Sequence, residues 1–432
     1  MLKKLLCIIG LILFLCGCTQ KDDRTVIQFA SWGSKSEIDI LKPILNDFER
    51  ENPDIRVDFM HIPQNYFQKI HLLFASNTAP DVIFINNLYL PIYANAGVLA
   101  AVGQLNVQTA KSSGKLKVES GKLDIEGKRV RGLEDKLFNN SSLSKISQEQ
   151  HTDNIYTSIP PYLHTSKFYP QALNALSFNG KLYAIPRDVS NLVIFYNKDM
   201  FRQKGIPFPT KDWTFDDFLK TAQKLSGNGT FGINFEENPM LYLPYLMSEG
   251  GGILPDEIEK PQSQKALKFY SDLRNKYHVA PKKSEIASAT SAQMFLQRKL
   301  GMYLSGRWMV PKFREECGFD WDVINFPNGT QGSIVPMDAS GWAVTKSSRH
   351  KKEAFMLVEY LASKSSSEKF AKSGLIVPAR TDSANSIIDG KKPKSAQVFL
   401  EIIKTSKPTS VTVDYNEIID NLKQKNEKMF NK

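Results

Sequence analysis

Residues 26–34 read Val26-Ile27-Gln28-Phe29-Ala30-Ser31-Trp32-Gly33-Ser34 and residues 79–85 read Ala79-Pro80-Asp81-Val82-Ile83-Phe84-Ile85. The stretch that begins with one and ends with the other decides the fold. Val26 to Ala30 is a short β-rich run, which Ser31-Trp32-Gly33-Ser34 breaks. Apolar residues then recur at helical spacing (Ile38, Leu41, Ile44, Leu45, Phe48) until Asn52-Pro53, where proline cannot continue a helix. Ile55-Arg56-Val57-Asp58-Phe59 alternates as a strand does, and Tyr66, Ile70, Leu73 and Phe74 mark a second helix. Val82 to Ile85 is apolar without a break, as suits a parallel strand buried on both faces. Strands alternating with helices predict a doubly wound α/β sheet, whose ligands bind beyond the carboxyl ends of the strands. Residues 31–35 and 86–89 are therefore the expected binding edge.

Working outward, the chain opens with Lys3, Lys4, an apolar run from Leu5 to Phe14 and Leu15-Cys16-Gly17-Cys18. The run is shorter than the roughly 20 residues that span a bilayer, so it reads as an export signal. Leu-Cys-Gly-Cys resembles the bacterial lipobox, with residues 1–17 as the signal peptide, Cys18 as the acylated residue and 18–25 as a tether. The expected location is the cell membrane, with the protein facing the periplasm or the exterior. Of four cysteines only Cys317 is left for the folded part, and a lone thiol in Arg314-Glu315-Glu316-Cys317 reads as structural. A chain of 432 residues is too long for one compact core, so two lobes are expected. Its net charge of +11 falls to +9 when Lys3 and Lys4 leave with the signal. In an exported protein that surplus suits an anionic lipid surface better than nucleic acid.

Signals for chemistry fail on context. Gly227-Asn228-Gly229-Thr230-Phe231-Gly232 matches GxGxxG, but it follows a helix and leads into a strand, the reverse of a dinucleotide site. No P-loop, HExxH or GxSxG is present, and the six histidines show no metal-ligand spacing. Asp216-Asp217 and Glu236-Glu237 are adjacent carboxylates, which point apart on a helix, and nothing selects a facing pair for glycoside hydrolysis. No cofactor, metal or catalytic activity is expected.

Several blocks, in order, resemble the extracellular solute-binding proteins of carbohydrate ABC importers. They include Phe48-Glu49-Arg50-Glu51-Asn52-Pro53-Asp54-Ile55, Ala75-Ser76-Asn77-Thr78-Ala79-Pro80-Asp81-Val82, Gly180-Lys181-Leu182-Tyr183-Ala184-Ile185-Pro186, Phe195-Tyr196-Asn197-Lys198-Asp199, Trp213-Thr214-Phe215-Asp216-Asp217-Phe218, Gly250-Gly251-Gly252 and Gly306-Arg307-Trp308. The resemblance implies a type II-like periplasmic-binding-protein fold, with two α/β lobes joined by crossing strands and closing on a sugar. Residues 184–197 are the expected first crossing and 302–306 the second. The first lobe then takes residues 26–187 and 304–345, and the second 188–303 and 346–432. A polar insertion at about 103–155 exceeds the family's usual connection, and alternation in residues 115–130 suggests a small β-hairpin there.

Sugar sites combine aromatic platforms with groups that pair hydroxyls. On that ground the candidate ligand residues are Trp32, Ser34, Asn86, Asn87, Tyr89, Asp188, Trp308, Asp338 and Trp342, with Arg187 as a structural alternative partner for Asp188. Asn238 and Gly251 join them by resemblance. Maltodextrin-binding members carry Glu-Pro-Tyr before their glycine turn, where this chain has Asn238-Pro239-Met240. That departure points to another sugar or a polar non-sugar. The expected function is a monomeric, lipid-anchored receptor that passes a mono- or oligosaccharide to permease subunits. A receptor for a glycerophosphodiester or polyamine, or a glycan-degrading enzyme, is the alternative.

Overall fold

The computed structural model describes residues 23–104, 165–286 and 289–431. The signal peptide, Cys18 and the expected hairpin of the insertion lie outside them. Thr25–Ser31 forms β1, Ile55–His61 β2 and Val82–Asn86 β3, with α1 (Lys35–Glu51) and α2 (Tyr66–Ala75) between them. Ser34 starts α1 by accepting the Glu37 amide hydrogen, and Asn52 closes it with its N–H on the Phe48 carbonyl. Ile38, Leu41, Ile44, Leu45 and Phe48 make its buried stripe, as their spacing predicts. β1 pairs with both β2 and β3 in parallel, so Ser31, His61 and Asn86 end together at one edge.

The first crossing is a single strand, β4 (Ile185–Asn197), buried along almost its whole length. β5 (Met302–Gly306) and β6 (Trp321–Ile324) flank its last residues, while β7 (Pro336–Val344) and β8 (Val377–Pro378) flank its first. Along one side of β4 the partners are β5 then β8, and along the other β6 then β7. The change of partners falls at residues 190–192, between Leu192↔Gly306 and Val189↔Val377. β7 continues antiparallel to β3, completing the order β8-β4-β7-β3-β1-β2, and β9 (Lys407–Pro408) runs parallel to the start of β7.

This pairing moves two expected boundaries. Residues 302–306 do not carry the chain back to the first sheet. β5 is held by the far half of β4, β6 joins it there, and β7 makes the return. Likewise α6 (Lys351–Leu361) and α7 (Lys364–Lys372), expected in the second lobe, pack on α1, with α6 also on β1 and β7. The physical reason is a buried stripe on α6 (Ala354, Phe355, Leu357, Val358, Leu361) with the first sheet as its neighbour. The other lobe is built on α3 (Phe215–Leu225), α4 (Pro239–Ser248), α5 (Pro261–Asn275) and the last helix, α8 (Tyr415–Phe430). Its core is aromatic. Phe235, Tyr242 and Tyr270 meet Phe430 of α8, and Phe215, Tyr245 and Phe326 form the adjoining cluster.

Candidate ligand-binding site

At the carboxyl edge of the first sheet, β1 delivers Trp32, which is 43 % exposed with its ring 6.3 Å from that of Phe84. The Gly33 carbonyl beside it accepts from His61 Nε2 at 2.8 Å, tying the loop to the end of β2. β3 delivers the second loop. Asn86 Oδ1 accepts the Tyr89 amide hydrogen, and Tyr89 stacks on Phe67 with 3.8 Å between ring centroids. Because β7 is antiparallel to β3 and Ser340 lies opposite Asn86, residues 336–339 run past this edge toward the other lobe. Asn87 follows them, exchanging backbone and side-chain bonds with Ala339 and donating from Nδ2 to Asp338 at 3.1 Å. The Thr409 hydroxyl, just past β9, donates to the same Asp338 oxygen at 2.7 Å.

Electrostatics connect this edge to α8. Burial raises the Asp338 carboxyl above its ordinary value, with the hydrogen bonds from Thr409 and Asn87 acting against the rise. Burial also raises the phenols of Tyr415 and Tyr89, helped by the Asp338 carboxylate at Tyr415 and by Asp420 at Tyr89. Tyr415 and Asp420 both belong to α8, so the loops of one lobe face the first turns of a helix of the other. Trp308 stands where the lobes join, 37 % exposed and directly after the end of β5.

Thus Trp32, Asn86, Asn87, Tyr89 and Asp338 come together at one edge, and Trp308 lies at the crossing. The remaining sequence candidates have other work. Asp188 is buried, bonded to Arg187 Nε at 3.0 Å and to the Ser340 hydroxyl, and Arg187 also pairs with Glu37. Trp342 is fully buried against Phe29 and Phe84. Ser34 and Asn238 cap α1 and α4. Gly251 is packed so closely that an added Cβ would stand 2.2 Å from Ser263 Oγ. Thr409 and Tyr415 were missed, because their link to Asp338 spans a long stretch of chain with no motif.

Other sequence signals end as structure. Gly227 and Thr230 exchange backbone hydrogen bonds in a turn after α3, and Asp217 closes a capping box with Thr214. Burial pushes the Cys317 thiol up to about 12, which keeps it protonated and unreactive. Among the described residues no group of three or more His, Cys, Asp and Glu side chains could hold a metal ion, and no helix is long and apolar enough to cross a membrane.

Residues 44–397 match the family of bacterial extracellular solute-binding proteins. The chain belongs to that family. Binding proteins of Brucella abortus and Brucella suis are 24% identical to it over 230 residues, which is 50% of this chain and 56% of theirs. The match therefore spans little more than half the length of those relatives. The galactooligosaccharide-binding protein of Bacillus subtilis is 26% identical over 271 residues, 59% of this chain and 62% of that one. In structure, an ABC substrate-binding protein from Listeria monocytogenes, solved in complex with cycloalternan, superposes with a TM-score of 0.75 at 24% identity, covering 95% of this chain and 94% of its own. The solute-binding-protein fold, two lobes around crossing strands, is common to both.

Proposed function

We propose that this chain is the substrate-binding lipoprotein of an ABC importer, that it holds an oligosaccharide between the edge of the first sheet and α8, and that it performs no chemistry on it. The observation that carries the reading is the chemical character of that edge. Trp32 and Tyr89 offer aromatic faces to sugar C–H groups and Asn86 an amide, on an edge held in place by the buried network of Asn87, Asp338 and Thr409. Trp308 supplies a further platform at the crossing. A site for a phosphodiester calls for guanidinium groups, and a polyamine site for several carboxylates; this edge offers the chemistry of a neutral polyhydroxyl ligand instead. Its similarity to a galactooligosaccharide-binding protein and to a substrate-binding protein in complex with cycloalternan supports the same reading.

Cys18 tethers the receptor to the membrane beside permease subunits, and the lobes close by rotating about residues 190–192. Thermal unfolding of the purified protein against galactooligosaccharides, linear and cyclic α-glucans, mannobiose, a glycerophosphodiester and putrescine tests the reading. A ligand at a hundredfold over its Kd adds about 2.7 kcal/mol to stability, a rise of a few degrees. The expected result is such a rise with one oligosaccharide class, which is recovered unhydrolysed. A rise with the phosphodiester or putrescine alone, or release of cleaved sugar, overturns it.

A further inference from the structure

Among the described residues, two buried polar atoms at the crossing have no hydrogen-bond partner. β5 ends with Gly306 opposite Leu192, and Arg307 follows as the first residue of a 3₁₀ turn, next to the residue before Leu192, Asn191. Both side chains do reach one neighbour. The Arg307 guanidinium lies 5.5 Å from the Phe399 ring centroid, and Asn191 Nδ2 donates to the Phe399 carbonyl at 3.0 Å. Arg307 Nη1 and Asn191 Oδ1, a donor and an acceptor, nevertheless have no hydrogen-bond partner among the described residues. Leaving either group buried and unpaired is costly, and such groups call for a reason.

The reason lies in what holds Arg307 away. Its Nε donates to the Ile376 carbonyl at 2.8 Å and its Nη2 to the Ala371 carbonyl at 3.2 Å. Ala371 is in the last turn of α7 and Ile376 directly precedes β8, both packed with the first lobe, whereas Arg307 follows β5 of the second. The side chain is 2 % exposed and is held by one carbonyl in the last, negative turn of a helix and one just before β8, and among the described residues it forms no ion pair. It thus crosses from lobe to lobe at the place where β4 changes partners.

We propose that Arg307 and Asn191 form a hinge pair that sets the balance between two lobe arrangements: in the one seen here Arg307 straps the Ala371 and Ile376 carbonyls, and when rotation carries those carbonyls away it turns to Asn191 Oδ1. The inference rests on the proposed closure of the lobes about a ligand. Neither residue touches that ligand. Both are positioning residues, which alter apparent affinity by changing how much of the protein is in the binding-competent arrangement.

The test needs no ligand. Asn191→Asp places a carboxylate next to Arg307 and draws the guanidinium from its carbonyls. Small-angle scattering of the ligand-free purified protein is expected to show a changed radius of gyration in Asn191→Asp, and no such change when Arg307→Met is combined with it. An unchanged radius in Asn191→Asp, or the same change in the double variant, overturns the proposal. Should Arg307→Met not fold, Arg307→Gln keeps a donor without the charge and is expected to cut the shift by at least half; an undiminished shift overturns the pair. Because no sugar enters the measurement, a failure of the sugar reading is seen separately in the thermal panel.

Discussion

Gly306 has no side chain because Trp308 occupies that space: an added Cβ would stand 1.9 Å from the indole ring. The glycine's backbone is extended (φ −110°, ψ 180°), a conformation open to any residue, so the obstacle to alanine is the space taken by the ring. Gly306→Ala is therefore expected to displace Trp308 while leaving the strand intact. If Trp308 is a sugar platform, the loss of one aromatic contact weakens binding about tenfold, equivalent to about 1.4 kcal/mol. Calorimetric titration with the oligosaccharide found in the thermal panel checks this, with Trp308→Ala as the reference. Equal affinity in both variants and the parent removes Trp308 from the site. Single residues were also where the sequence was least readable. Trp32 and Trp342 each follow or lie in a strand beside small residues, yet one is 43 % exposed and the other fully buried. Only the pairing of β7 between β3 and β4 separates them, and that pairing is fixed by residues far apart in the chain.

Between elements, the Arg187 cluster is a buried polar tie. It joins β4 (Arg187, Asp188) to α1 (Glu37) and β7 (Ser340), with the guanidinium 5.0 Å from the Phe84 ring centroid and 5.4 Å from that of Trp342. Arg187→Met leaves two carboxylates facing each other in a dry site, and removing one partner of a buried pair costs about 3–5 kcal/mol. A large fall in thermal midpoint is expected, mostly recovered when Glu37→Gln and Asp188→Asn are added; no recovery means that packing, not charge, holds the site. A second tie carries a pH signature. Phe48, Glu51 and Asn52 of the α1 end face Met356, Glu359 and Tyr360 of α6 around a hollow of about 410 Å³. Burial lifts the Glu359 carboxyl from 4.5 to about 7. Its folded-state value is raised, so the folded protein binds more protons than the unfolded one, and stability from this group falls as pH rises from 4.5 to about 7. Glu359→Gln is expected to raise the thermal midpoint at pH 8 and leave it unchanged near pH 4. A midpoint unchanged at pH 8 rejects the assignment. At this scale the sequence was legible: β1 to β3, α1 and α2 follow from apolar spacing and from Asn52-Pro53. The return crossing was not, because Met302-Tyr303-Leu304 is as apolar as a crossing strand and differs only in its partner.

At the scale of the molecule, the proposed anchor, Cys18, precedes the amino end of β1, whereas the proposed ligand edge lies at its carboxyl end. Thr25 begins β1 at the amino edge, whereas Ser31 and Trp32 leave it at the ligand edge. Seven residues of strand at about 3.3 Å each set them roughly 20 Å apart. A tether at Cys18 would therefore pull on the edge remote from Asp338, Asn87 and Tyr89, and the proposed hinge at residues 190–192 lies in β4, which β3 and β7 separate from β1. On the proposed reading, tethering and binding are mechanically separate, and lobe rotation need not move the anchor. A doubly acylated amino terminus holds a protein to a membrane firmly, and removal of the acylated sulfur abolishes that hold. Cys18→Ser is expected to move the protein from the membrane fraction to the soluble fraction or the medium, with its affinity for the oligosaccharide unchanged within about twofold, a difference of about 0.4 kcal/mol. Fractionation followed by titration of the released protein checks both halves. Retention in the membrane rejects Cys18 as the anchor. Release with a tenfold loss of affinity would instead mean that the tether reaches the ligand edge, against the placement of Thr25 and Trp32 at opposite ends of β1.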